Sequence, residues 1–265
     1  MYDFSYHRAG SLGDAASKLN SADDGKLVAG GMTLIPTLKQ RLAQPSDLID
    51  LADIKDLAGI KVDGSGVTVG AMTTHATVAA SGDVKKAIPA LAHLAGEIGD
   101  PHVRHRGTIG GSIANNDPAA DYPAACLGLD ATIVTSKREI AADDYFQGLF
   151  ETALEEDEII TAVRFPKPKR AAYMKFPNPA SRYALVGVFV AETNAGVRVA
   201  VTGAGQGGVF RVDAMEAALG KSFSSDAVAG IAVPQDNLNS DIHASAEYRA
   251  HLITVMAKRA VAAAE

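Results

Sequence analysis

Lys26-Leu-Val-Ala, a short apolar run of strand type, ends in Gly30-Gly31, and Thr33 to Leu42 then reads as a helix with Pro36 in its first turn. A proline there costs nothing, because the first N–H groups of a helix lack intrahelical acceptors anyway. Strand, glycine turn and helix in that order commit the N-terminal part to an α/β unit. Upstream, Ser11 to Asn20 reads as an amphipathic helix, and downstream Pro45 to Asp50 reads as a turn entering a strand. From Ile60 to Ala71 two alternating runs flank Asp63-Gly64-Ser65-Gly66, a hairpin signal, so the chain changes here to antiparallel pairing.

Helices are expected at Thr74 to Ser81 and Ile88 to Ile98, and Asp100-Pro101 breaks the pattern. Arg106 to Asn116 reads as a second glycine turn between apolar residues, and Pro118 to Leu129 as a small-residue helix. Strands follow at Ala131 to Thr135 and Ile159 to Phe165. Pro166-Lys-Pro-Lys-Arg170 is the best boundary signal, with two prolines and three cations between apolar runs. Beyond it, strands at Ala171 to Phe176, Tyr183 to Glu192 and Val197 to Thr202 precede helices at Val212 to Leu219 and Glu247 to Ala264. Strands followed by helices favour an α+β C-terminal domain.

The 265 residues contain one cysteine, Cys126. The chain therefore offers neither the four thiolates of a typical iron–sulfur cluster nor an internal disulfide. With 47% hydrophobic and 21% charged residues it is expected to bury a core, and a net charge of −6 gives no reason to bind nucleic acid or an anionic membrane. No apolar run approaches the roughly 18 to 20 residues of a membrane span, and the N-terminus lacks a signal-peptide pattern. A cytoplasmic location is expected.

Three glycine clusters compete for chemistry. Gly203-Ala-Gly205-Gln-Gly-Gly208 formally matches G-x-G-x-x-G, but Val-Phe-Arg-Val follows it where a dinucleotide fingerprint needs a helix, so it reads as a bend. Ala29 to Thr33 and Thr108 to Ser112 each pair glycines with a hydroxyl residue. Such turns let successive N–H groups face a concavity, which suits a pyrophosphate; they also serve as plain tight turns. Arg104 and Arg106 before the second cluster, with Asn115, Asn116, Asp117 and Asp121 after it, form a polar string that points to a polar ligand. Helix capping accounts well for Asp117 and less well for Asp121.

Leu27-Val-Ala-Gly-Gly-Met-Thr-Leu34 with Lys39 and Arg41-Leu42, and Arg104 with the run Arg106 to Asp121 (RGTIGGSIANNDPAAD), resemble the two FAD loops of the flavoprotein (medium) subunit of molybdenum hydroxylases. The likeness continues through Gly70 to His75, Glu158 to Val163, Tyr173 to Phe176 and Tyr183 to Val188, and covers essentially the whole chain. It implies an α+β fold: a two-subdomain FAD-binding region of the vanillyl-alcohol-oxidase-like type over residues 1–170, divided near 1–55 and 56–170, then a small sheet plus helical bundle over 171–265. It also implies non-covalent FAD, and electron transfer from a partner to an external acceptor. The implied partners are an iron–sulfur small subunit carrying [2Fe-2S] and a molybdopterin large subunit, in a dimer of heterotrimers.

Carried over by residue, Leu27, Val28, Ala29, Gly30, Gly31, Met32, Thr33 and Leu34 would wrap the pyrophosphate, as would Thr108, Ile109, Gly110, Gly111 and Ser112. Asp121 would hydrogen-bond the cofactor, Ile98 and Ile160 would sit against the flavin, and Lys175 would lie near its ring system. Several readings stay open. Tyr183 is a flavin shield or a surface or interface tyrosine, and Lys175 is a stabiliser of negative charge on reduced flavin or a snorkelling surface lysine. His75 is functional or structural, and Met32 is read as packing. A non-redox scaffold that kept the fold without flavin is the alternative function.

Overall fold

Residues 1–264 are described by the computed structural model, and the strand–helix alternation of the N-terminus folds as read. β1 (Ser5–Arg8), α1 (Leu12–Ser21), β2 (Gly25–Val28), α2 (Leu34–Lys39) and β3 (Asp47–Asp50) form a parallel sheet of order β1-β3-β2. Ser11 starts α1 by accepting the Asp14 N–H on its hydroxyl. α2 stops short of the expected Leu42, and Arg41 just beyond it takes a left-handed conformation, φ +60°.

The second unit contains β4 (Ile60–Val62), β5 (Gly66–Gly70), α3 (His75–Ala80), α4 (Gly82–Ala87), α5 (Pro89–Glu97), α6 (Pro101–Arg106), α7 (Ile109–Asn115) and α8 (Tyr122–Gly128). It continues with β6 (Thr132–Thr135), β7 (Glu139–Ala141), α9 (Ala142–Tyr145), β8 (Phe146–Gly148), β9 (Glu151–Thr152) and β10 (Ile160–Pro166). β4-β5-β10-β6-β7 is an antiparallel sheet, with β8 and β9 as a separate hairpin.

The pattern breaks before Asp100-Pro101 as read, α5 ending at Glu97, and the dipeptide also opens a new helix, because the Asp100 carboxylate accepts the Val103 N–H and Pro101 takes the first helical position. Two expectations are corrected here. The second glycine cluster is the first turn of α7 rather than a turn between apolar residues, with the Thr108 hydroxyl accepting the Gly111 N–H. The helix expected from Pro118 begins only at Tyr122, so Asp117 does not cap it; its carboxylate accepts the Ala119 N–H in a local turn.

The C-terminal region is a meander of β11 (Arg170–Pro177), β12 (Ala184–Thr193), β13 (Gly196–Thr202) and β14 (Phe210–Arg211), followed by α10 (Asp213–Lys221), α11 (Ser225–Ala229) and α12 (Ala246–Ala263). β12 is apolar along nearly its whole length because both of its faces are covered. Val186, Val188 and Val190 enter a core built with α10 to α12, whereas Phe189 and Ala191 enter the core of the second unit. Phe189 packs against Gly128 so closely that a Cβ there would lie 2.6 Å from the ring.

A polar staple reinforces this contact. Arg198 on β13 is 8% exposed and donates to the Leu127 carbonyl at 3.0 Å, to both Asp143 oxygens at 2.9 Å and to Asp130 at 2.5 Å. Among the described residues no helix is long and apolar enough to cross a membrane.

Candidate functional site

A cavity of about 640 Å³ opens where the β2–α2 turn, the start of α7, the segment after α5 and the loop between β11 and β12 converge. That volume suits a cofactor-sized ligand. Gly30 brings the first two units together: a Cβ on it would stand 2.0 Å from the Arg106 carbonyl oxygen and 2.9 Å from the Gly107 Cα. Gly31 has φ +71°, the left-handed region that only glycine enters freely. Around this bend the backbone N–H groups of Gly30, Gly31, Met32 and Thr33 have no acceptor among the described residues. A run of unpaired donors beside a cavity is an anion-binding concavity.

The facing loop contributes differently. The N–H groups of Ile109, Gly110 and Ser112 bond to the carbonyls of Thr73, Ala71 and Thr108 at 3.1, 2.8 and 3.0 Å. Gly110 is small because a Cβ would meet the Ala71 Cβ at 2.6 Å, and Gly111 lets Ala29 approach from across the cavity. What this side offers a ligand is the Thr108 N–H, the Thr108 and Ser112 hydroxyls and a surface without side chains.

Of the residues expected at a site, Leu27, Ala29, Gly30, Gly31, Met32, Thr33, Leu34, Ile98, Thr108, Gly110, Gly111, Ser112, Asp121, Ile160 and Tyr183 line the cavity. Val28 and Ile109 turn their side chains into cores. Lys175 is outside the wall: its side chain is 2% exposed, and its ammonium donates to the Glu97 carbonyl at 3.0 Å and pairs with Asp121 at 2.9 Å. That geometry excludes a snorkelling surface lysine. Burial raises the Asp121 carboxyl above its ordinary range, while Lys175 and the Tyr173 hydroxyl act the other way.

Arg104 holds the bend after α5 by donating to the Ile98 and Gly99 carbonyls at 3.0 and 2.9 Å, which places both residues at the wall. Tyr183 stands at the same end, 46% exposed, with its hydroxyl raised by burial and by the charges of Asp117 and Asp121. Leu19, Lys26, Leu154 and Ile159 also line the cavity. The Gly203 cluster takes no part: Gly203, at φ +83°, donates its N–H to Pro118 at 2.8 Å, and strand β14 follows, not a helix.

Residue type alone leaves His75 open and passes over Gly107 and Glu158, all of which line the wall. His75 is buried against Tyr122, with burial and then Arg104 lowering its pKa to about 4, so it is neutral at pH 7. Gly107 is small because a Cβ would stand 2.6 Å from His75 Nε2. Glu158 is also buried at the wall; burial pushes its carboxyl up, but bonds from Arg138, Thr135 and the Glu155 N–H prevail and bring it to about 2. Each lies within a motif singled out above, but its role depends on partners distant in sequence.

A depressed carboxylate stabilises the fold above its ordinary pKa and loses that contribution as pH falls through the folded value. Glu158 is therefore expected to cost the protein on the order of 2 kcal/mol between about pH 4.5 and about 2. Acid titrations of urea-unfolding stability should show this slope, and Glu158→Gln should flatten it; an unchanged slope would remove Glu158 from the account.

Comparison with known proteins gives two family matches. Residues 2–168 match the family described as the FAD binding domain in molybdopterin dehydrogenase, and residues 171–264 match the CO dehydrogenase flavoprotein C-terminal domain. The carbon monoxide dehydrogenase medium chain of Hydrogenophaga pseudoflava is 36% identical over 98% of this chain and 96% of its own. The nicotine 6-hydroxylase medium subunit of Paenarthrobacter nicotinovorans is 37% identical over 97% and 95%. A solved structure of the Hydrogenophaga pseudoflava carbon monoxide dehydrogenase superposes with a TM-score of 0.89, covering 99% of this chain and 97% of the other. Quinoline 2-oxidoreductase from Pseudomonas putida 86 superposes with a TM-score of 0.90 at 28% identity, covering 98% and 96%.

Proposed function

Because this chain belongs to the family of FAD-binding flavoprotein subunits of molybdenum hydroxylases, we propose that its cavity holds one FAD and that the chain relays electrons from a partner subunit to an external acceptor. The run of unpaired N–H groups from Gly30 to Thr33 around left-handed Gly31 carries this reading. Those donors hold the pyrophosphate without any lysine, and the Thr108 and Ser112 hydroxyls supply further donors from the opposite wall. Val28 and Ile109 anchor the two turns through side chains buried in the cores.

Bound FAD supplies the redox chemistry; the chain supplies position, exclusion of water and access. Tyr183 offers an aromatic face at the Ile98 end, so we place the flavin ring there, with Asp121 beside it and Lys175 behind Asp121 as a fixed counter-cation. The adenosine half then extends along the rest of the cavity, where Leu19 and Leu154 offer apolar side chains that exclude water. Ile160 lines the same cavity and stays assigned to the flavin.

Attachment is non-covalent. Cys126 is fully buried, with its thiol raised well above its ordinary value by burial, and His75 is neutral and packed on Tyr122. A single sealed cysteine ligates no iron–sulfur cluster. The family resemblance supports a relay that takes its electrons from an iron–sulfur small subunit with [2Fe-2S], beside a molybdopterin large subunit, in a dimer of heterotrimers.

Incubation of the purified chain with FAD, followed by desalting, is expected to leave one flavin per chain, and acid precipitation should release all of it to the supernatant. A chain that emerges colourless contradicts the cofactor assignment. Flavin retained on the acid pellet contradicts non-covalent attachment.

A further inference from the structure

Asp121 occupies the cap position of α8, yet its carboxylate makes no bond to that helix. Two donors on β11 hold it instead. Tyr173 donates its hydroxyl to Oδ1 at 2.5 Å, and the Lys175 ammonium reaches Oδ1 at 2.9 Å and Oδ2 at 3.1 Å. The donors stand two residues apart, so they project from one face of the strand. The neighbouring strand makes room for them: Gly187 pairs with Lys175 in register, and a Cβ on Gly187 would come within 2.3 Å of the Tyr173 hydroxyl.

The two donors differ in what they can do. Lys175 is a point charge on a flexible stem, and it neutralises the carboxylate without fixing its rotation. Tyr173 is a rigid ring that is 1% exposed, and its hydroxyl stays protonated because burial and then the Asp121 charge raise its pKa far above the ordinary value. A carboxylate has about four acceptor positions. The hydrogen bonds from Tyr173 and Lys175 take two of them, one on each oxygen, which leaves acceptor capacity toward the cavity that Asp121 lines.

We propose that Tyr173 is a positioning residue for the cofactor: with Lys175 it clamps Asp121 so that the free carboxylate edge accepts a hydrogen bond from a hydroxyl or ring N–H on the flavin half of FAD. The inference rests on the FAD reading above. A tyrosine that merely ties β11 to α8 would affect the fold and not the choice of ligand.

The test uses the full chain and two probes, FAD and ADP, since ADP lacks the flavin half. Tyr173→Phe is expected to weaken FAD binding about tenfold and to leave ADP binding within about twofold of wild type. Parallel losses for both ligands, or no loss for FAD, overturn the positioning role. In the FAD-free chain, unfolding of Tyr173→Phe, Asp121→Asn and the double variant should be non-additive, because the two groups share one bond; additive effects overturn the clamp itself. A wild-type chain that binds ADP but no FAD overturns the functional reading and the positioning role with it, whereas the unfolding cycle judges the clamp separately.

Discussion

Gly30→Val is expected to reduce FAD affinity by at least about a hundredfold, because the added side chain occupies space that the Arg106 carbonyl already fills at 2.0 Å from the Cβ position. Overlap with backbone cannot be relieved by a rotamer change. The β2–α2 turn has to back away from the end of α6, and the unpaired N–H groups then no longer face the opposite wall. Fluorescence titration with FAD measures the loss. Gly111→Ala should be mild by comparison, since its Cβ meets Thr108 Oγ1 at 3.1 Å and Ala29 at 3.5 Å. Gly13→Ala, with nothing within 4 Å, serves as the control for glycine replacement itself. Wild-type affinity in a folded Gly30→Val chain would mean that the closeness of the two loops is irrelevant to the cofactor.

Arg198→Ala is expected to destabilise the protein by about 3 kcal/mol. The guanidinium is nearly buried, and its removal leaves the Leu127 carbonyl with only the Asp130 N–H at 3.3 Å and leaves Asp143 and Asp130, each partly exposed, without their shared cation. Arg211 still reaches Asp143 at 3.3 Å, which retains part of the network. Arg198→Lys should recover little, because an ammonium cannot bond both Asp143 oxygens and the carbonyl in the fork geometry of a guanidinium. Urea unfolding followed by tyrosine fluorescence measures the change; a loss under about 0.5 kcal/mol would place the domain contact in the apolar packing alone.

Both glycine loops could be found from sequence because glycine pairs leave a local signature. The state of their N–H groups could not. Residues 29–33 and 108–112 carry similar glycine–hydroxyl patterns, but the first leaves a run of N–H donors free, whereas the second spends all but that of Thr108 on Ala71, Thr73 and Thr108 itself. Asp100-Pro101 illustrates an ambiguity of local chemistry: the same dipeptide that ends one helix starts the next when the aspartate faces the following N–H groups. β7, α9 and the β8–β9 hairpin escape periodicity because they are only two to four residues long. Tyr173 falls within a matching motif, yet its hydroxyl acquires meaning only through Asp121, 52 positions away.

The wall of the cavity draws on residues near position 30, near 110 and near 182. A chain emerging from the ribosome makes the Gly30 turn early and the Tyr183 loop late, so one end of the cavity is incomplete until β11 and β12 have formed. With the flavin placed as proposed, its colour is expected to report a finished C-terminal domain, and a truncated or stalled product is expected to lack it.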